Sequence, residues 1–326
     1  MSKVPITEFD IVYISYDEPN ADENYADLLE KCPWAKRSHG VWGSDAAHKA
    51  AAALSETERF ITVDADNIVN EDFFNVELDM EKIGDNHVIS FAAKNIINGL
   101  VYGNGGIKMW PKTVVEQMRT HEAAPDHDRA AQVDFCWNIQ YVQMNNWYSW
   151  VHNNASPLQA WRAGFREGVK MGLEGGDIVD PKNIKSIHKA NYNRMLIWMT
   201  IGEDAPNGLW AMYGARLGCY MTNVLRHEWD WKNVRDFDWL TNYFNTTVLP
   251  EFSDGIEMCP NTGVTWNREL LKTRTVELGK ELSAKLDLEI ADVDSAGSRF
   301  WKTVYRNPSR LGPQVKEDQV KDSVDD

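Results

Sequence analysis

Near the start of the chain, apolar residues come in short unbroken runs rather than at helical spacing. "FDIVYISY" (9–16), "RFITV" (59–63) and "HVISFAA" (87–93) are continuous and rich in β-branched and aromatic residues, and "RSHGVWG" (37–43) is shorter. Runs of this length, bounded by polar turns, predict buried strands. Between them, "ENYADLLEKC" (23–32) and the alanine-rich "SDAAHKAAAALSE" (44–56) predict helices, the second opening on a Ser44/Asp45 cap signal. Strands alternating with helices over short connections predict an α/β fold, with a mainly parallel sheet flanked by helices. In such sheets ligands gather at the carboxyl ends of the strands.

The pattern changes further along. "RTHEAAPDHDRAA" (119–131) is polar and loop-like, and "VDFCWNIQYVQMNNWYSWVHNN" (133–154) reads as a mixture of short strands. "PLQAWRAGFREGVKMGL" (157–173) predicts a helix with Pro157 in its first turn. From about residue 190 the chain predicts mostly helix. The organisation expected is an α/β catalytic domain over 1–175 and a mostly helical region over 176–310. A charged, aromatic-free tail, "LGPQVKEDQVKDSVDD" (311–326), is expected to be disordered.

Composition narrows the class. The 326 residues include 14 Trp and carry a formal charge of −15, which argues against coating nucleic acid by bulk electrostatics. Cys32, Cys136, Cys219 and Cys259 never form a C-x-x-C pair, so reduced thiols are expected rather than disulfides or a zinc site. The opening "MSKVPITEFD" has no apolar signal region, and no apolar run approaches the roughly 20 residues of a membrane span. A soluble, cytoplasmic protein is expected.

Candidate chemistry begins where the third strand run stops. In "FITVDADNIVNEDFF" (60–74) two carboxylates, Asp64 and Asp66, flank one residue at a strand end. One carboxylate there serves as a turn or cap; two at this spacing converge on a cation. Hard Mg²⁺ or Mn²⁺ prefers carboxylate oxygens and stabilises a departing diphosphate. The first strand run ends in Ser15-Tyr16-Asp17, another strand-end polar group. "YGNGGIKMWP" brings Gly103, Gly105 and Gly106, which permit close backbone approach in a loop or hairpin. In "AWRAGFREGVKM", Arg162, Arg166 and Lys170 form one helical stripe suited to phosphates.

The order of these features over residues 8–175 resembles the GT-A glycosyltransferases: a first strand whose end holds the nucleotide, a small-residue helix, a D-x-D, and a later Gly-Gly segment. "AKNIINGLVYGNGGIKMWP" and "AWRAGFREGVKM" are also similar to glycosyltransferases encoded by tailed bacteriophages. The resemblance implies a Rossmann-like GT-A sheet, a nucleotide-sugar donor with a UDP-sugar first, and Mn²⁺ or Mg²⁺ as cofactor. It implies Asp64 and Asp66 on metal and diphosphate with Asn67 beside them. Ser15, Tyr16 and Asp17 would lie against base or ribose, and Lys49 would pair with phosphate. Gly105 and Gly106 would border donor sugar and acceptor. His152 would be a third metal ligand, with His188 as its competitor, and Asp134 the base of an inverting transfer. The acceptor expected first is a hydroxymethylated pyrimidine in phage DNA, in the host cytoplasm. Basic and aromatic residues interleaved in "HEWDWKNVRDFDW" and "SRFWKTVYRNPSR" would hold it. A polysaccharide or protein acceptor stays open, as do a nucleotidyltransferase and a non-catalytic binding module.

Overall fold

The computed structural model describes residues 3–125, 127–133, 135–136, 139–259 and 263–305. They fall into two units. The first runs to Ala124 and resumes for the segment that ends at His152; the second takes Pro125–Val133 and Asn153–Tyr305. The first unit thus ends at His152, where sequence alone suggests a boundary at 175. The reason is packing: the helix Pro157–Lys170 lies against the helix Gly208–Tyr220 within the second unit. The tail expected over 311–326 lies outside the described residues.

The first unit is an α/β sheet. β1 (Asp10–Ser15), β2 (Lys36–His39) and β3 (Arg59–Asp64) form where the apolar runs predict them, as do α1 (Ala21–Lys31) and α2 (Ser44–Leu54). β4 (Asn67–Val69), β5 (His87–Asn95), β6 (Val101–Pro111) and β7 (Gln140–Val151) complete a seven-stranded sheet in the order β2-β1-β3-β6-β5-β7-β4. β1 is parallel to β2 and β3, and β5 to β7. β6 is antiparallel to β3 and β5, and β4 to β7.

The sheet is therefore mixed rather than mainly parallel. Only residues 96–100 join β5 to β6, which suffices for a reverse turn but not for a parallel crossover. Gly99 closes that turn at φ +74°. Within it the Asn95 N–H donates to the Leu100 carbonyl and the Gly99 N–H to the Asn95 carbonyl, both at 2.8 Å. Because the turn sits there, the glycines of "YGNGGIKMWP" form strand β6, not the loop their composition suggests. Likewise, residues 140–151 form one long strand rather than several short ones.

The two faces are covered differently. Ile11, Tyr13, Ile61, Val63, Ile107 and Phe91 pack against Leu28 and Cys32 of the α1 side. Val12, Phe60, Val88 and Trp110 pack against Ala51 and Ala52 of α2. The small α2 side chains let that helix lie close to the sheet. Its N-cap is Gly43, at φ +86°, rather than Ser44 or Asp45. The exposed N–H groups of Ser44 and Asp45 instead donate to the Glu122 carboxylate, at 2.8 and 3.4 Å.

The second unit is mostly helical, as expected: α3 (Pro157–Lys170), α4 (Lys189–Thr200), α5 (Gly208–Tyr220), α6 (Phe237–Tyr243), α7 (Arg268–Leu286) and α8 (Ser295–Val304). Ser156 caps α3 by accepting from the Gln159 N–H at 3.1 Å, with Pro157 in the first turn. α3 and α5 touch backbone to backbone. A methyl group at Gly164 or Gly168 would overlap the carbonyl of Ala211 or Ala215, and one at Gly214 or Gly218 that of Trp161 or Phe165. Arg216 of α5 is fully buried and donates from Nε to the Met199 carbonyl at 2.9 Å and from Nη1 to the Thr275 carbonyl at 2.6 Å. Among the described residues no helix is long and apolar enough to cross a membrane.

The reciprocal glycine contact makes a stability prediction. Gly168→Ala and Gly214→Ala are each expected to cost about 1–3 kcal/mol by overpacking, read as a lower midpoint in chemical denaturation. The loss should greatly exceed any gain from alanine's helix propensity.

Candidate functional site

At the end of β3 the chain turns through Asp64-Ala65-Asp66 into β4, and this turn is pinned at its centre. The buried Ala65 carbonyl accepts from the Tyr13 hydroxyl at 2.7 Å and from the Asn24 side-chain amide at 2.8 Å. The next link comes from β7, where the His152 N–H donates to the Asp66 carbonyl at 2.6 Å. The His152 carbonyl in turn accepts from the Asn20 side chain at 2.9 Å. Donors from β1 and α1 and the end of β7 thus fix a turn whose two flanking carboxylates are only half-buried.

Asn67 locks the second carboxylate. Its side-chain amide donates to Asp66 Oδ1 at 2.8 Å, and its own oxygen accepts from the buried Ser149 hydroxyl at 2.7 Å. Gly106 of β6 lies directly against this pair. A Cβ at Gly106 would collide with the Asn67 amide and approach Asp64 Cβ to 2.8 Å. Gly105 precedes it in the same strand, with its surroundings outside the described residues.

Burial pushes the Asp66 carboxyl up to about 7, with the negative charges of Asp64 and Glu18 adding to the shift and the Asn67 hydrogen bond opposing it. Three acidic groups therefore act on one another where β1 and β3 end. Glu18, which sequence reasoning passed over in favour of Asp17, accepts from the Tyr16 N–H at 2.8 Å. Asp17 is exposed. The adjacent Asp-Glu pair held the signal, but a turn decides which of two neighbours faces inward.

Ser15 is buried and tied sideways to β2: its hydroxyl accepts from Arg37 Nε at 2.9 Å and lies 2.9 Å from His39 Nδ1. The Arg37 guanidinium sits 5.2 Å from the Tyr25 ring centroid and pairs with Asp22 at 2.8 Å. Tyr16 is 42% exposed and meets Trp42, 58% exposed, edge to face at 5.6 Å. Two bare aromatic rings at strand ends are a stacking surface, and Trp42 is a second residue that sequence reasoning missed.

On α2 lies Lys49, which the resemblance would pair with phosphate. That lysine is exposed and paired with Asp45 at 2.8 Å, one turn back on the same helix. Its neighbour His48 turns inward instead, onto Trp110 and Phe135 at 5.2 Å each. His48 Nδ1 lies 2.8 Å from the Ser44 carbonyl, which can only accept, so Nδ1 carries the proton. Burial lowers the His48 pKa, with Asp64 opposing. Lys108, opposite Thr62 on β6, lies on Asp64's face of the sheet.

The remaining candidates divide. Among the described residues no group of three His, Cys, Asp or Glu side chains is placed to hold a metal, so His152 does not complete such a set with the two aspartates. Its ring is held below the usual histidine pKa by burial. His188 belongs to the second unit and is exposed. Arg162 and Arg166 also belong to that unit, where their guanidinium groups lie 4.5 and 4.8 Å from the Phe237 ring centroid. Many aromatics of "HEWDWKNVRDFDW" serve the second unit's own packing: Trp229 and Trp239 stack around Phe165. Asp134 lies outside the described residues.

No protein-family model, curated protein or solved structure matches the chain. The site must be read from its own chemistry. A pair of fixed carboxylates suits Mg²⁺ or Mn²⁺, which typically bind through one or two carboxylates together with substrate phosphates and water. The mutual repulsion of Asp64, Asp66 and Glu18 is what a divalent cation relieves.

The raised Asp66 pKa has a sign that can be tested. A carboxyl whose folded pKa exceeds its unfolded value stabilises the fold below the unfolded pKa, and that contribution is lost as pH rises through about 7. The metal-free protein should therefore lose about 2–4 kcal/mol between pH 4 and pH 8 from this group, read by thermal denaturation. Asp66→Asn should flatten that dependence. Gly106→Ala is expected to weaken the site by displacing Asn67, whose hydrogen bond holds the Asp66 pKa down, read as a further rise of the Asp66 pKa in an NMR titration.

Proposed function

We propose that the chain is a divalent-metal-dependent glycosyltransferase that uses a nucleotide-sugar donor. The observation carrying this reading is the Asp64-Ala65-Asp66 turn, which presents two carboxylates from a backbone held by buried donors at the carboxyl ends of parallel strands. In this reading Asp64 and Asp66 hold Mn²⁺ or Mg²⁺, and the cation offsets charge on the departing diphosphate. Asn67 orients Asp66 through its side-chain amide, and the tie from Ser149 keeps that amide in place. The exposed rings of Tyr16 and Trp42 receive the base, while Ser15 is held between Arg37 and His39 at the ribose end. Gly106 leaves the space that the Asn67 amide occupies beside Asp64.

Charge supports a transferase over a nucleotidyltransferase. The residues after β1, "SYDEPNADEN", are acidic, whereas an enzyme that grips a triphosphate there needs a glycine-rich basic loop. The test is a thermal-shift titration of the full chain with UDP, GDP, CDP and ADP, with and without Mn²⁺. One nucleotide is expected to raise the melting temperature only with Mn²⁺, by about 2.7 kcal/mol of stabilisation at a hundredfold excess over Kd. Asp66→Asn should abolish the shift. Absence of a metal-dependent shift for every nucleotide overturns the reading.

A further inference from the structure

β7 departs from regular geometry twice, and both departures fall where it runs beside the end of β5. Ser90 pairs with Gln143 and Ala92 with Trp147, so β7 advances four residues while β5 advances two. Ala93 then pairs with Ser149, a second local excess on β7. Trp147 and Trp150 are three residues apart and would point to opposite faces of a regular strand. The bulge places them on one face, opposite Ala92 and Lys94. Their rings meet edge to face at 4.8 Å, and the Lys94 ammonium lies 5.6 Å from the Trp147 ring centroid. Both indoles remain half-buried rather than enclosed in the core.

This face is the one that carries Asp64. Thr62, Lys108, Ser90 and Gln143 form one row across β3, β6, β5 and β7. One pleat nearer the carboxyl end of β3, the same face carries Asp64 with Gly106 of β6 against it, and Ala92 and Trp147 on β5 and β7. The register of β6 against β5 shifts between Phe91 and Ala93. Three strand spacings separate β3 from β7, about 14 Å.

We propose that Trp147, Trp150 and Lys94 form the acceptor shelf of this enzyme and that the acceptor is a saccharide. The proposal rests on the glycosyltransferase reading of the Asp64–Asp66 site. The flat face of a pyranose presents C–H groups with partial positive charge, which match the negative face of an indole. Its hydroxyls need neutral hydrogen-bonding partners, and Gln143 and Asn145 are half-buried residues of the same strand. A nucleic acid would bring a phosphate with each nucleotide, and binding it depends on neutralising those charges with Lys and Arg. A chain of formal charge −15 is poorly suited to that. A neutral glycan incurs no such repulsion.

The test follows tryptophan emission of the full chain titrated with cellohexaose, chitohexaose, maltohexaose and, separately, a short single-stranded oligodeoxynucleotide. At least one oligosaccharide should shift the emission. Trp150→Ala and Trp147→Ala should weaken that binding about tenfold or more, equivalent to about 1.4 kcal/mol. Trp150→Phe, which keeps an aromatic face and guards against simple misfolding, should retain most of it, and Trp34→Ala should match the wild type. Asp66→Asn should lose the nucleotide response and keep the saccharide response, which separates failure of the shelf from failure of the donor site. The proposal is overturned if no oligosaccharide binds, if the shelf variants bind as the wild type does, or if the oligonucleotide is the ligand whose binding they lose.

Discussion

The first unit depends on one buried carbonyl. Ala65 sits between the two aspartates, and its oxygen is satisfied by Tyr13 from β1 and Asn24 from α1. A buried carbonyl left without partners costs on the order of 1–3 kcal/mol, so these donors hold the chain to a single path as it leaves β3. The Tyr13 hydroxyl also reaches the Ala21 carbonyl at 2.8 Å, at the start of α1. Strand, helix and turn are thus tied by polar contacts in an otherwise apolar layer. The aspartates on either side inherit that rigidity.

The same region concentrates negative charge, from Asp64, Asp66 and Glu18. Two cations near it have partners of their own: Arg37 with Ser15 and Asp22, Lys49 with Asp45. Burial, with the charges of Asp64 and Glu18 adding to it, holds the Asp66 proton toward neutral pH. Gly106 and the bulges of β7 shape the same sheet by geometry rather than charge. The glycine removes a side chain beside Asp64, and the bulges gather two tryptophans on the face that Asp64 shares.

Several errors in reading the chain share one physical origin. The glycines of β6 were expected in a loop or hairpin because local composition does not reveal what lies across the sheet. Glycine in a strand and glycine in a loop look alike until a neighbouring side chain, here Asn67, demands the space. His48 and Lys49 are adjacent, so helical rotation alone decides which one reaches Trp110. The shift of α3 into the second unit has a similar cause. Its glycines at 164 and 168 have no meaning in isolation and acquire one only against those at 214 and 218 of α5.

What the sequence determined by itself was local and periodic. Apolar runs set β1, β3 and β5, alanine content marked α2, and two carboxylates marked the turn at the end of β3, because strand propensity and turn chemistry act over a few residues. Tertiary structure decided the rest. It chose a mixed sheet through the short β5–β6 turn, selected Glu18 and His48 over their neighbours, and brought Trp147 and Trp150 to one face. Those outcomes rest on contacts between residues tens of positions apart, and a close approach between distant segments has no signature in either segment alone.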